Sequence, residues 1–346
     1  MAHDILSVMT TPAPEVSAQE AEAIVLAHWG IRAQAQVLRG ERDRNFHLRA
    51  EDGQQFVLKF ANAAEDADFR AMQVAALRHI TRADPELPVP RTIPLPDGSI
   101  EAAVPLRTGD VHGVRLLTWI AGDLISATRR SAAQRSACGQ FLGRLQAALH
   151  DFRHAASGHA IIWDLQHALH LRDAVFTIPD ATARAEVTEL LDKFETCVVP
   201  ELRGLRRQVL HNDAGVNMLV DPADPVRPIG VIDFGDIAET AVVFDVAIAA
   251  AAQPGPDMSA SAAIGHFIGG FHSVRPLQPQ EVSLLPLLVA VRMAMGLVLA
   301  SWHRHSQPDN PHFGRVQTTI DQRLATMAEI CRPEMTQVLR RVCGLS

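Results

Sequence analysis

The spacing of apolar positions changes several times along the chain, and each change marks a predicted element. Ser17 precedes the run AQEAEAIVLAHWG, with Glu20 three residues on and Gly30 at its end, which predicts a capped helix. From Gln36 to Phe60 the pattern becomes strand-like. VLRG, NFHLRA and QQFVLKF read as strands, and Asp52-Gly53 is the turn of a hairpin. Between Asp66 and Thr81 the apolar residues Phe69, Met72, Ala76, Leu77 and Ile80 fall on one helical face. Pro88-Val89-Pro90 then breaks the chain, and DGSIEAAVPL and HGVRLLTWI supply two more strands. Beyond Asp123 helical patterns dominate: SAAQRSACGQFLGRLQAALH, ARAEVTELLDKFETC, stretches from Val243 and from Glu281, and Gln317 to Glu329. One β-rich island interrupts them, with two strand pieces in VLHNDAGVNMLV and PIGVIDFGD around a DPADP turn.

These patterns predict an α+β, two-lobed chain. A flexible tail covers residues 1–16, a small β-rich lobe 17–117, a hinge 118–122 and a larger helical lobe 123–346. Ala121-Gly122 reads as a flexible joint. Composition adds bounds to this outline. With 346 residues, 47% of them hydrophobic, the chain can bury a large core. A net charge of -7 argues against a nucleic-acid partner, which would call for clustered Lys and Arg. Four cysteines, far apart and without a C-x-x-C pair, fit neither a disulfide framework nor a zinc site and suggest a reducing cytoplasm. The first residues lack the basic start and apolar run of a secretory signal. Leu284 to Trp302 is apolar enough to suggest a membrane span, but it contains Pro286 and Arg292. An arginine at a span's centre costs about 2.5–3.5 kcal/mol to insert. The expectation is a buried helix of a cytoplasmic protein with no membrane partner.

The island carries the chemistry. Phosphoryl transfer needs cations on the phosphates, a lysine on the nucleotide, and a carboxylate aimed at the attacking hydroxyl. His211-Asn212-Asp213, followed about twenty residues later by Ile232-Asp233-Phe234-Gly235-Asp236, supplies such groups in order. Asp213 is the candidate catalytic residue that accepts or orients the hydroxyl proton. Asn217 and Asp233 offer hard oxygens for Mg²⁺. Lys59, on the strand FVLKF, is the candidate phosphate-holding lysine, although a strand lysine usually faces solvent. Asp236 is either a capping residue or a partner for a substrate amine. No G-x-x-x-x-G-K-[ST], G-x-S-x-G or H-E-x-x-H is present, so P-loop, serine-hydrolase and zinc-protease readings lack their motifs.

Taken together, Lys59, LLTWIAG, HNDAGVN and VIDFGD resemble the aminoglycoside phosphotransferase and choline kinase superfamily. Within it the nearest likeness is to hydroxylysine kinases, through ERDRNFHLRAEDGQQFVLKFAN, VRLLTWIAGDLI, the WDL at Trp163, GVIDFGDIAETAVVFDVAIA and SWHRHSQPDNPHF. The resemblance runs from about Ser17 to Arg323 and implies a protein-kinase-like fold, with ATP or GTP as phosphate donor and Mg²⁺ as cofactor. It also implies that Glu41, Arg42 and Asn45 belong to the loop over the nucleotide phosphates. Leu117, Thr118, Trp119 and Ile120 would flank the purine through their backbone groups, and Asp245 would close the lobe beneath the site. Gln73 stands where kinases of this fold usually place a glutamate that pairs with the lysine. Asn217 follows Asp213 one residue sooner than usual, with Gly215 in the gap as the residue that could permit a tighter path.

Candidates for the acceptor site are Asp236, Glu239, Arg292, Trp302 and Arg304. Asp236 suits an ammonium. Arg292 is equally well read as the partner of a substrate carboxylate or as half of an internal ion pair. The expected activity is phosphorylation of the hydroxyl of an amino alcohol or hydroxy-amino acid, 5-hydroxylysine by resemblance. The rivals are an aminoglycoside phosphotransferase and a catalytically silent nucleotide-binding protein. A monomer or a homodimer is expected.

Overall fold

The computed structural model describes residues 11–38, 40, 42–107, 109–306 and 317–345. The chain divides into two compact units, one of residues up to 121 with 154–156, the other of 122–153 and residues from 157 onward.

The first unit is a twisted antiparallel sheet with a helix on each side of its sequence centre. Helix α1 (Ala18–Trp29) starts with the predicted capping box between Ser17 and Glu20, and Gly30 ends it at φ 71°. Strands β1 (Ala33–Leu38), β2 (Arg44–Ala50) and β3 (Gln55–Phe60) follow as two hairpin-linked pairs. Strands β4 (Thr92–Ile93), β5 (Ala102–Pro105) and β6 (Val111–Thr118) complete the sheet, in the order β1-β2-β3-β6-β4 with β5 also on β6. The two-residue β4 is too short to show any alternation in the sequence. Phe46, Leu48, Leu58, Phe60, Val114 and Leu116 point to one face and pack with Val25 and Trp29 of α1. Helix α2 (Ala67–Ala83), capped by the Asp66 side chain, buries the predicted stripe from Phe69 to Ile80.

In the second unit the island is four strands in two small sheets, where the sequence suggested two pieces. Strand β7 (Asp123–Leu124) pairs with β9 (Met218–Val220), which pairs with β10 (Pro228–Val231). Strand β8 (Arg207–Leu210) pairs with β11 (Ala238–Ala241), Leu210 opposite Ala238. The helices are α3 (Ala132–Ala148), α4 (Ala181–Cys197), α5 (Ala214–Asn217), α6 (Val242–Ala251), α7 (Ala260–Val274), α8 (Pro279–Ser306), α9 (Gln317–Ile330) and α10 (Pro333–Val342). The sequence reading did not separate α7 and α10. It also missed the 3-10 segment Leu165–Thr177, whose three-residue turns match neither the helix nor the strand template. Helix α8 is the axis of this unit. Its most apolar window is 67% buried, packed on α4, α6 and the 3-10 segment, so its hydropathy belongs to the core.

Candidate active site

Lys59 does not face solvent. Its strand is buried on both faces, and Lys59 itself is only 8% exposed. Its ammonium lies 2.8 Å from Asp43 Oδ2, while Asp43 Oδ1 accepts the backbone N–H of Asn62 at 2.9 Å. The carboxylate against the lysine therefore comes from the loop before β2. Gln73, given that place from the sequence, sits one step away and donates its amide to Glu65 Oε1 at 2.9 Å. Glu65 precedes α2 and lies within 4.0 Å of the Arg115 guanidinium. Burial, then the Asp43 charge, push the Glu65 carboxyl up, against Lys59 and Arg115. Arg115 stands opposite Lys59 on β6 and Asn45 opposite it on β2, so all three side chains share a face of the sheet. The Arg42 carbonyl accepts from the Asn62 amide at 3.0 Å, which fixes the loop from behind. Glu41 lies outside the described residues. In the segment predicted beside the purine, the Thr118 N–H already bonds Arg91 O and the Trp119 N–H bonds Gln55 O. Leu117 pairs with Val57 and β6 ends at Thr118, so Trp119 and Ile120 lie past the strand. The Trp119 ring stacks on His47, with centroids 4.0 Å apart.

In the second unit the two motifs are tied to each other by hydrogen bonds. His211 is fully buried, and burial lowers its tendency to take a proton. As a neutral ring it donates from Nε2 to Ile232 O at 3.1 Å and accepts the Asp213 N–H on Nδ1 at 3.2 Å. Its ring packs on Phe234 with centroids 4.6 Å apart. The Asn212 amide donates to Asp236 O at 3.1 Å, and its backbone N–H donates to Asp245 Oδ1 at 2.8 Å. Asp245 is fully buried and also accepts from Gln146 Nε2 at 2.7 Å. Asn212 and Asp233 have φ of 63° and 59°. Such left-handed conformations are strained for residues with a side chain and concentrate at functional sites. The bonds to Asp245, Ile232 and Asp236 hold the loops that contain them.

Asn217 reaches Asp213 despite the short spacing. Asp213 begins the four-residue helix α5, so Asn217 stands one turn above it. The Asn217 Nδ2 donates to Asp213 Oδ2 at 2.6 Å and to Asp213 O at 3.0 Å, which leaves the amide oxygen for other ligands. Gly215 is needed here for close approach. A methyl group on it would lie 2.6 Å from the Ala249 Cα of α6. The charges of Asp236, Arg292 and Asp233 all act on Asp213. Burial, then Asp236, push its carboxyl up to about 8, while Arg292 and the Asn217 amide oppose the shift.

The Arg292 guanidinium stacks over the Trp163 ring, 4.8 Å from its centroid. Trp302 and Arg304 lie ten and twelve residues farther along α8, about 15 Å or more along its axis at 1.5 Å per residue. Trp163 is thus the tryptophan beside the Arg292 guanidinium, and the charge of Arg292 also acts on Asp213. Glu239 on β11 accepts from Ser157 Oγ at 3.0 Å.

Trp163 is placed by its neighbour. Asp164 caps the 3-10 segment, accepting from the Gln166 N–H at 3.0 Å and from Thr240 Oγ1 at 2.8 Å. Burial pushes its carboxyl up to about 6 despite these bonds. Between about pH 4 and 6 the folded chain then holds a proton that the unfolded chain has released. Stability should therefore fall as pH rises through that window, by about 3 kcal/mol at most, and stay level above it. Relative to wild type, Asp164→Asn should be more stable at neutral pH than in mild acid, as read from urea midpoints. Parallel wild-type and Asn curves would contradict this.

Among the described residues no three His, Cys, Asp or Glu side chains converge as a protein-only metal cage. The donor set does fit Mg²⁺, which is usually held by one or two protein oxygens together with substrate phosphates. Asn217 offers its amide oxygen, and the charges of Asp236 and Asp233 act on Asp213 beside it.

The sequence signature of the phosphotransferase enzyme family matches residues 34–277. The chain belongs to that family. It is a small-molecule phosphotransferase with a kinase-like α+β fold. Hydroxylysine kinase of Mus musculus is 26% identical over 325 residues, covering 87% of this chain and 86% of that protein. The microcompartment-associated aminopropanol kinase superposes with a TM-score of 0.68 at 19% identity, over 95% of this chain and 99% of the other. An amicoumacin kinase in complex with AMP-PNP, Ca²⁺ and Ami gives 0.65 at 13% identity, over 96% of both chains. The fully buried His211 is a tie between the two motifs of the second unit, and no sequence spacing announced that Arg292 lies over Trp163 or that Gln73 bonds Glu65.

Proposed function

We propose that this phosphotransferase moves the γ-phosphate of ATP or GTP to the hydroxyl of a small amine, a hydroxy-amino acid such as 5-hydroxylysine. The observation that carries the reading is the Asp213 carboxylate, fixed by Asn217 and flanked by Asp236 and Arg292. Asp213 holds the acceptor hydroxyl and takes its proton as the new P–O bond forms. Asp236 presents negative charge to the acceptor's ammonium, and Lys59 holds donor phosphates in exchange for Asp43. Asn217 and Asp233 would hold Mg²⁺, which supplies neutralisation of phosphate charge when bound. The hydroxylysine kinases among the relatives support the acceptor class. A polycationic aminoglycoside would need several free carboxylates. Helix α8 has only Glu281, and it is bonded to Arg206 at 2.9 Å.

The test is a panel of acceptors assayed with ATP and with GTP, comparing 5-hydroxylysine, 1-amino-2-propanol, choline and kanamycin. A kcat/KM for 5-hydroxylysine at least about 100-fold above the others is expected, since a site built to bond polar groups rejects compounds that lack them. A preference for kanamycin would transfer the protein to the aminoglycoside class.

A further inference from the structure

We propose that residues 11–16 form a strap that fixes Asp43 beside Lys59, with Asn62 as its latch and as a positioning residue for the phosphate donor. This rests on the reading of Lys59 as the group that holds the donor's phosphates. It adds what keeps the Asp43 carboxylate out of their way.

The latch comes three residues after Lys59, past the end of β3, and Asn62 is only 2% exposed. Both polar atoms of its side chain are taken. Its Oδ1 accepts the Ala64 N–H at 2.9 Å, which closes a tight turn and fixes which end of the amide is oxygen. Its Nδ2 donates to Arg42 O at 3.0 Å, to Thr11 O at 3.2 Å and to Pro12 O at 3.4 Å. One buried amide therefore ties the segment before α1 to the residue before Asp43. On the other side of Asp43, Arg44 Nε donates to Val16 O at 3.2 Å. Between these ties the segment is itself anchored, since Pro14 is buried and Val16 packs into the core with Val25 and Trp29. A methyl on Gly40 would run into the Asp43 carbonyl, so the turn is tight from the near side too.

What the strap does follows from charge. Asp43 Oδ2 meets the Lys59 ammonium at 2.8 Å, and Oδ1 accepts the Asn62 backbone N–H at 2.9 Å. When Lys59 turns to a phosphate, it leaves a carboxylate beside a second anion, and like charges at that range disfavour binding. The Asn62 N–H is a partner that stays with Asp43, and a hydrogen bond to an ionised carboxylate is of the stronger kind. It stays only while Asn62 and the residues flanking Asp43 are held, and the strap holds both. Its ties run through the backbone carbonyls of Thr11, Pro12 and Val16, which no side-chain pattern marks in the sequence.

The experiment measures binding of Mg·AMP-PNP and Mg·GMP-PNP by calorimetry, and donor kinetics with ATP and GTP, in wild type, Asn62→Asp and Val16→Lys. Asn62→Asp keeps the acceptor for the Ala64 N–H and loses the donors to the strap. Val16→Lys puts a charge where the strap packs in the core and lifts it. Each should weaken nucleotide binding and raise donor KM by about 10-fold, with kcat and acceptor KM within about twofold of wild type. The double variant should lose little more than either single one, because both cut the same ties. Val25→Ala, which loosens the same core without touching the strap, should keep the wild-type donor KM. Should Asn62→Asp fail to fold, Asn62→Ser, which can close the turn but cannot span to the three carbonyls, takes its place with the same expectation. Nucleotide bound equally well by wild type and variants would overturn the strap alone. So would losses shared by kcat and acceptor KM, or an equal rise in donor KM with Val25→Ala. Failure of wild type to bind either nucleotide would end the donor reading of Lys59, and the strap with it.

Discussion

Replacing Asp213 with asparagine should lower kcat by about 10³-fold, within the 10²–10⁴ range of a lost general base, while changing the donor's dissociation constant by less than about threefold. The amide is nearly isosteric with the carboxylate, so it can still accept the Asn217 bond that closes α5. It cannot take the hydroxyl proton. The same substitution should not destabilise the protein. Asp213 is buried beside Asp236 and Asp233, which raise its carboxyl well above the ordinary range, so ionising it at neutral pH opposes folding. In the ligand-free protein kept in chelator, Asp213→Asn should melt at or above the wild-type temperature. Loss of activity with a gain in stability is the signature of a functional charge cluster. A variant that kept wild-type turnover would remove Asp213 from the mechanism.

The second large effect falls on a residue that touches no substrate. Asp245→Ala should destabilise the second unit by about 3–5 kcal/mol, because it strands two buried donors at about 1–3 kcal/mol each and opens a small cavity. Those donors are the backbone N–H of Asn212 and the amide of Gln146. The loss should also reach catalysis, since Asn212 is held at φ 63° by the same bond. Asp245→Asn should be far milder. The Gln146 amide oxygen is buried and has no hydrogen-bond partner, so a half-turn of that side chain lets it accept from the new amide. Urea unfolding of the pair would decide the matter, and equal destabilisation by both would contradict the bonding described.

How much of this was legible in the sequence depended on range. The capping box of Ser17 and Glu20, the Asp52-Gly53 hairpin and the stripe on α2 are local, and they lie where the spacing put them. The island was recognised, but its strands of three or four residues are too short for a period of two to resolve four of them. Counting residues suggested that Asn217 fell short of its place. It missed that Asp213 opens a single helical turn, which brings residues four apart together. Pairings across the chain were the least legible. Nothing in the helix pattern indicates that Gln73 serves Glu65 while Asp43 meets Lys59. Likewise, nothing in the sequence indicates that Trp163 meets Arg292 until the 3-10 segment packs on α8.

The central claim, transfer to a hydroxyl with Asp213 as base, is tested most directly by phosphorus NMR of 5-hydroxylysine incubated with MgATP or MgGTP and the wild-type enzyme. The account predicts loss of the γ-phosphate resonance with matching growth of a phosphomonoester signal, absent with Asp213→Asn. Nucleotide consumed only to inorganic phosphate, or the same ester formed by Asp213→Asn, would contradict it.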